Sequence, residues 1–371
     1  MAMRSAAPPQ CRRAAAALLA LATALTALAP AQAAAQSSGA ARPPVRAAPE
    51  AGDAGSPSAG TPAGPTFFGP LTTEESGPLQ RVGYTHATEG ADLLPAGRTR
   101  ADFWMGYANI FEQDSAATHD LFLDLERLVT TAGVRWGASD RLELGARVGF
   151  ETTGGGILDA FVSGWHTKLG LGNGNREKYP FGVYEMRLRE GSRDIPLYAP
   201  RQTMALEDVR LSAKWRAWRS ADGRKVVSVR GVARVPAEED LFGFRRTDVA
   251  LMALGRVSWT RWHFHGTVGG STVRAARDVD GLLRSGTFFG DAAFERRLAP
   301  WVSGVLQLSF SSPTLQGFGD PELDGWPVNF VFGLTGKVHD GWLVDVSFQE
   351  DIPPNTPAVD FMLGIGVRKT W

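Results

Sequence analysis

Apolar and polar side chains alternate in segments of about ten residues that recur along most of the chain, the length of a strand that crosses a membrane. In RLELGARVGF, Leu142, Leu144, Ala146, Val148 and Phe150 share one face, opposite Arg141, Glu143, Arg147 and two glycines. In DVRLSAKWRA the apolar set is Val209, Leu211, Ala213 and Trp215, opposite Asp208, Arg210, Ser212, Lys214 and Arg216. PVNFVFGLTGKV sets Val328, Phe330, Phe332, Leu334 and Val338 against Asn329, Thr335 and Lys337. A period of two is that of a β-strand with one greasy face. In FMLGIGVRKTW, Phe361, Leu363, Ile365, Val367 and Trp371 continue the pattern, broken only by Lys369.

The pattern predicts twelve strands, near Ala101–Glu112, Glu126–Gly137, Arg141–Phe150, Glu207–Arg216, Lys225–Val235, Asp248–Thr260, Trp262–Val273, Thr287–Arg297, Trp301–Ser311, Val328–Val338, Trp342–Asp351 and Val359–Trp371. The joints after even strands are tight, as at Ala138-Ser139-Asp140 and His339-Asp340-Gly341. Those after odd strands are mostly longer, and one runs from 151 to 206. Short turns on one side and long loops on the other fit an antiparallel transmembrane β-barrel with short periplasmic turns and longer extracellular loops. Tryptophan sorts the same way. Trp136, Trp259, Trp262, Trp301, Trp342 and Trp371 all fall beside short-turn ends, where an aromatic belt meets the lipid headgroups. A sandwich core gives tryptophan no reason to gather at one end. Within the long connection, Leu158, Phe161, Val162, Trp165 and Leu169 have helical spacing. This short helix either packs the loop's own core, caps the barrel or lies on the outer leaflet, with Phe161, Trp165 and His166 as its candidate interaction residues.

The amino terminus sets the compartment. Arg4, Arg12 and Arg13 precede the apolar run Ala14 to Ala29 and small residues suited to cleavage, so residues 1–35 read as a secretion signal. Residues 36–94 read as a disordered leader and N-terminal periplasmic segment, because Ala, Pro, Gly and Ser dominate their first half. Residues 95–371 form the barrel. The single cysteine, Cys11, falls within the signal, which excludes disulfides and thiolate chemistry from the processed chain. Basic and acidic residues balance at 39 each, giving no excess for nucleic acid. The outer membrane of a bacterium is the implied location, and its lipid the implied partner.

These motifs resemble the outer-membrane barrel family known as domain of unknown function 3187. The resemblance is carried by Ala108-Asn109-Ile110 with Glu112, by RLELG (Arg141 to Gly145), by the loop GGGILDAFVSGWHTKLGLGNGNRE (Gly154 to Glu177), by EDVRLSAKW (Glu207 to Trp215) and by Gln349-Glu350-Asp351. It spans roughly Pro95 to Trp371 and implies a barrel without implying any chemistry. The terminal strand, with its closing aromatic, also resembles the signal read by barrel-assembly machinery, from which Lys369 departs.

No catalytic residue, metal site or cofactor is expected. A lipid-modifying enzyme on the barrel wall is the weakest reading, since no GxSxG occurs and neither His119 nor His166 has a serine placed beside it by a motif. His263 and His265 share the inward face and read as water-facing lumen residues rather than metal ligands. The informative pattern is charge. Arg210, Lys214, Arg216, Arg230, Arg234 and Arg256 point inward on strands four to six, and Asp291, Glu295, Asp345 and Asp351 on strands eight and eleven. Such walls would act on a small polar or anionic solute in a narrow pore or uptake channel. Inward glycines and serines, including Gly149, Gly333 and Gly364, would leave room for it. Alternatively the opposing charges pair and close the barrel, leaving a structural or surface-interaction protein that uses the loop 151–206.

Overall fold

The computed structural model describes residues 67–116, 118–170, 173–198, 200–273, 281–318, 321–352 and 359–371; the signal and most of the leader lie outside them. Fourteen strands alternate along the chain: β1 (Thr99–Ser115), β2 (His119–Ser139), β3 (Leu142–Gly154), β4 (Glu185–Glu190), β5 (Arg193–Ile195), β6 (Gln202–Arg219), β7 (Lys225–Pro236), β8 (Asp248–Ser258), β9 (Trp262–Thr272), β10 (Gly286–Ala299), β11 (Val302–Ser311), β12 (Val328–His339), β13 (Trp342–Asp351) and β14 (Phe361–Thr370). Twelve of them form an antiparallel barrel, each hydrogen-bonded to its neighbours. It closes where β1 meets β14, from Arg100↔Thr370 to Asn109↔Phe361. Closure removes the unpaired edges that hydrocarbon does not tolerate. The short hairpin β4–β5 extends the sheet beside the extracellular part of β2, pairing Leu121 with Leu188.

The outward face is lipid-like. Leu251 is 63% exposed, Leu306 52% and Leu334 51%, and the belt residues Trp136, Trp259, Trp262, Trp301, Trp342 and Trp371 are all exposed near the short-turn rim. An apolar band this continuous has no place on a water-facing monomer. No helix among the described residues is long and apolar enough to cross a membrane.

β2 begins at His119, seven residues before the predicted strand, because the alternation inverts there. Leu121, Leu123 and Leu125 point inward and are essentially inaccessible, while Asp124 and Glu126 occupy the outward face. Counting up from the Thr99↔Trp136 pair, about ten residues of strand span the apolar band, so this inversion marks the wall above the membrane. The inward leucines join Leu79, Leu188, Leu241, Phe242, Leu282, Phe318 and Val359 in an apolar cluster that closes the extracellular mouth.

Residues 67–94 correct the leader reading: they are inside the barrel. One leg rises from Phe67 at the periplasmic rim, turns over the 3-10 segment Gln80–Val82 and descends to Leu94, from which the chain enters β1. The legs touch at the antiparallel bridge Glu74↔Ala87 and where the Thr88 amide donates to the Thr73 carbonyl at 3.1 Å. Leu71, Leu79, Val82, Tyr84 and Ala91 are buried against the wall.

The predicted loop helix is present as α1 (Asp159–Leu169), and it ends at Gly170, whose φ of 72° supplies the left-handed C-cap. It lies neither over the mouth nor in the lumen, but against the outer wall. Phe161 packs edge-on to the outward ring of Phe361 at 5.2 Å, and Trp165 meets Phe348 at 5.5 Å. The Glu126 carboxylate accepts the amides of Ile157 (2.9 Å) and Leu158 just ahead of the helix, where negative charge is favoured. Arg176 pins the following segment to Asn109 and Asp360, and to Asp159 at 2.8 Å.

Candidate functional site

Alternation directs the polar residues of each strand into the lumen, and the inserted hairpin meets them in layers. At the periplasmic rim the amides of Phe68 and Gly69 donate to Glu295 at 2.8 and 3.1 Å; Glu295 also accepts from Ser303 at 2.7 Å. Arg256 lies 4.2 Å above the Phe67 ring and Arg297 3.8 Å above Phe68, cation–π contacts that seat the start of the hairpin.

The middle layer is ionic. Glu89 meets Arg230 at 2.8 Å, Arg135 at 2.9 Å and the Lys214 ammonium. Glu74 meets Arg210, with Arg147 at 3.5 Å, and Asp92 accepts from Arg256 at 3.0 Å. Burial alone would raise the carboxyls of Glu74 and Glu89, but the surrounding cations outweigh it and hold both below the usual carboxylate range. On the opposite wall His86 sits 2.9 Å from Asp291 and stacks on Phe289 at 4.5 Å. Burial disfavours its protonation; the Asp291 carboxylate more than offsets this and lifts the His86 pKa above its ordinary value.

In the upper layer Arg81, in the turn itself, pairs with Glu207. A bulge makes this possible. Register slips between Gly149 and Phe150, so Glu207 and Asp208 are both buried on the inner side although they are consecutive. Asp208 in turn accepts from Arg234 at 2.8 Å, and Arg234 donates to Asp248 at 2.9 Å.

The charged residues singled out from sequence therefore fall as follows. Arg210, Lys214, Arg230 and Arg256 contact hairpin carboxylates or carbonyls, and Arg234 donates at 3.4 Å to the Gly83 carbonyl. Arg216 lies at the periplasmic rim and donates to the Asp140 carbonyl. Asp291 and Glu295 accept from the hairpin, Asp345 pairs with Arg368, and Asp351 ends β13 at the extracellular rim. His263 and His265 are buried rather than wet, packed on Phe67 at 5.4 and 5.9 Å, with His265 3.3 Å from Glu295. Phe161, Trp165 and His166 all touch the wall, although Phe161 remains 50% exposed. His166 lies 2.8 Å from Glu350, so all three hold the loop to the wall.

The inward space offered by small residues is taken. Leu71 lies over Gly333, such that a Cβ there would come within 3.1 Å of it, and the Trp104 ring covers Gly106. Inside the barrel, cavities of 80 Å³ near Arg81, Glu207 and Tyr184, 70 Å³ near Phe67, Arg100 and Lys214, and 30 Å³ near Thr73 and His86 remain, each enough for a few waters. The partners missed by sequence reasoning are Glu74, Arg81, His86, Glu89 and Asp92, together with Glu207. Their signal was the local excess of inward cations, for which Glu207, Asp208 and Asp248 on the same strands are too few.

A closed antiparallel barrel with a tryptophan-ringed apolar exterior and a polar interior is the architecture of outer-membrane β-barrel proteins. The chain belongs to the family described as Protein of unknown function (DUF3187), matched across residues 63–371, a span that includes the hairpin as well as the strands. Among solved structures it resembles an outer membrane channel from Pseudomonas putida F1, with 13% identity and a TM-score of 0.51, covering 76% of this chain and 98% of that one. It is also similar to the NanC porin (9% identity, TM-score 0.41, 74% and 99% covered) and the KdgM porin (6%, 0.39, 73% and 99%). No curated protein matches the sequence.

Proposed function

We propose that the protein is a gated outer-membrane channel, a narrow uptake path for a small polar or anionic solute that opens when the hairpin Phe67–Leu94 leaves the lumen. The observation that carries this reading is the chemistry of the seat. Arg210, Lys214, Arg230 and Arg256 are paired with carboxylates on a removable segment rather than with residues fixed to the opposite wall, while Asp208 and Asp248 of the same wall hold Arg234. Buried ion pairs give little net stabilisation, because the water they exclude hydrates both partners on separation. A polar seat is thus easier to vacate than an apolar one, and vacating it would expose a wall that attracts anions.

Planar-bilayer recording tests the proposal. Wild type should be mostly closed, and a chain lacking residues 67–94 should conduct with anion preference that falls when Arg230 and Arg234 are neutralised. A folded hairpin-free barrel that does not conduct would instead support a permanently closed barrel, the reading favoured by the apolar cluster over the mouth.

A further inference from the structure

The outer wall carries a depression that plays no part in the lumen. It lies across β10 to β14 with Gly304 in its floor, between Phe294, Leu306, Phe332, Leu334 and Phe348, and holds about 680 Å³. That is the size of a small-ligand site, roughly 300–1,000 Å³. Gly304 creates the space, since a side chain built there would approach Leu298 at 3.4 Å and Leu334 at 4.0 Å.

At the periplasmic end of this groove stands Arg296. It is paired in register with Gly304 on one side and Trp262 on the other, so it lies at the level of the tryptophan belt. Its guanidinium sits 4.7 Å over the Trp262 ring, which is itself stacked on Phe294 at 4.7 Å. No carboxylate among the described residues pairs with Arg296. A cation held on an aromatic face at headgroup depth, with an apolar trough leading from it toward the membrane interior, complements a phosphate joined to a hydrocarbon chain. A second copy of the barrel fits worse, because it would press lipid-facing apolar side chains onto an unpaired guanidinium.

We propose that this groove binds an anionic phospholipid of the periplasmic leaflet, its phosphate on Arg296 and one acyl chain over Gly304. Native mass spectrometry of the full-length barrel, released from nanodiscs containing dioleoylphosphatidylglycerol, should show one retained lipid. Arg296→Gln should lower its occupancy by roughly tenfold, the scale of one charge-assisted hydrogen bond, and Gly304→Leu should lower it comparably by filling the floor. Soluble glycerophosphoglycerol should not displace the lipid. Heat-modifiable migration reports barrel folding in each variant; if Gly304→Leu does not fold, Leu334→Trp narrows the same groove from its wall. Retention equal to wild type in the folded variants would overturn the proposal, as would displacement by the soluble headgroup. A wild-type dimer that Gly304→Leu dissociates without loss of lipid would do the same by naming a second copy as the occupant.

Discussion

The carboxylate of Glu89, on the descending leg of the hairpin, lies 2.8 Å from the guanidinium of Arg230 on β7. The same carboxylate is 2.9 Å from Arg135 on β2 and also meets Lys214 on β6, so one inserted side chain ties three strands of the wall together. Its removal should be felt as surplus positive charge as well as a lost contact.

Glu89→Gln should therefore loosen the hairpin by about 3–5 kcal/mol, the usual penalty for stripping one partner from a buried pair. Hydration of the cations as the segment moves would reduce that figure. Bilayer recordings should show more frequent opening than wild type, with reversal potentials shifted toward anion selectivity. Openings as rare as those of the unaltered protein would mean that the ionic layer does not control the seat.

The hairpin should also respond to pH, in opposite senses through its two kinds of contact. His86 has a raised pKa, so the stabilisation from its pairing with Asp291 is complete below the ordinary histidine value of about 6.5 and is lost as pH rises through the raised one. Glu74, held low by Arg210, Arg147 and Arg81, contributes above the ordinary carboxylate range and loses its contribution as pH falls through its depressed pKa. Glu74 and Glu75 also act on His86 and favour its charged form. Opening probability should thus be lowest in mildly acidic solution and rise toward alkaline pH. In His86→Phe, which keeps the stacking on Phe289, the alkaline rise should disappear.

Leu79 carries the apolar part of the seat at the top of the barrel, where it is 2% exposed among Leu121, Leu241 and Phe318. Leu79→Ala should cost about 2–5 kcal/mol, as large-to-small changes in packed cores do. Since the cluster includes the loops over the mouth, the same variant should speed proteolysis of those loops while leaving heat-modifiable migration unchanged.

Arg176 is the corresponding anchor on the outside. Arg176→Ala leaves Asp159 and Asp360 without their buried cation and should release α1 from the wall, at a cost of about 3–5 kcal/mol to the local docking. Limited proteolysis between residues 170 and 182 and a red shift of tryptophan emission from Trp165 would record it. Strands and conductance should be unaffected.

The barrel was legible because lipid outside and polar groups inside impose a strict alternation, and because rows of residues such as Leu306 and Leu334 must face hydrocarbon. The same rule hid the upper wall, where Leu121 and Leu123 face inward and the polar residues outward, since the surroundings there are no longer lipid. The hairpin has neither a strand period nor a helical one. Its side chains are fixed by charges far away in sequence, as Glu74 is by Arg210 and His86 by Asp291, and these become neighbours only once the barrel is closed. For α1, the spacing of Phe161 and Trp165 announced the helix but not the wall it would meet, because Phe361 and Phe348 lie in strands read as facing lipid.

Phe67 and Leu94 lie at the same rim: the Phe68 and Gly69 amides donate to Glu295 near the base of β10, and the Leu94 amide donates to Glu143 near the base of β3. The hairpin consequently enters and leaves by one opening and is threaded through nothing. It resembles a cork on a string more than a bolt: it can slide in after the seam between β1 and β14 has been zipped, and be drawn back toward the periplasm with every rung of that seam intact. On the proposed gating, assembly of the wall and filling of the bore would be separable events, and a pull on the chain ahead of Phe67 would first break the contacts of Phe68 and Gly69 with Glu295 and Arg368.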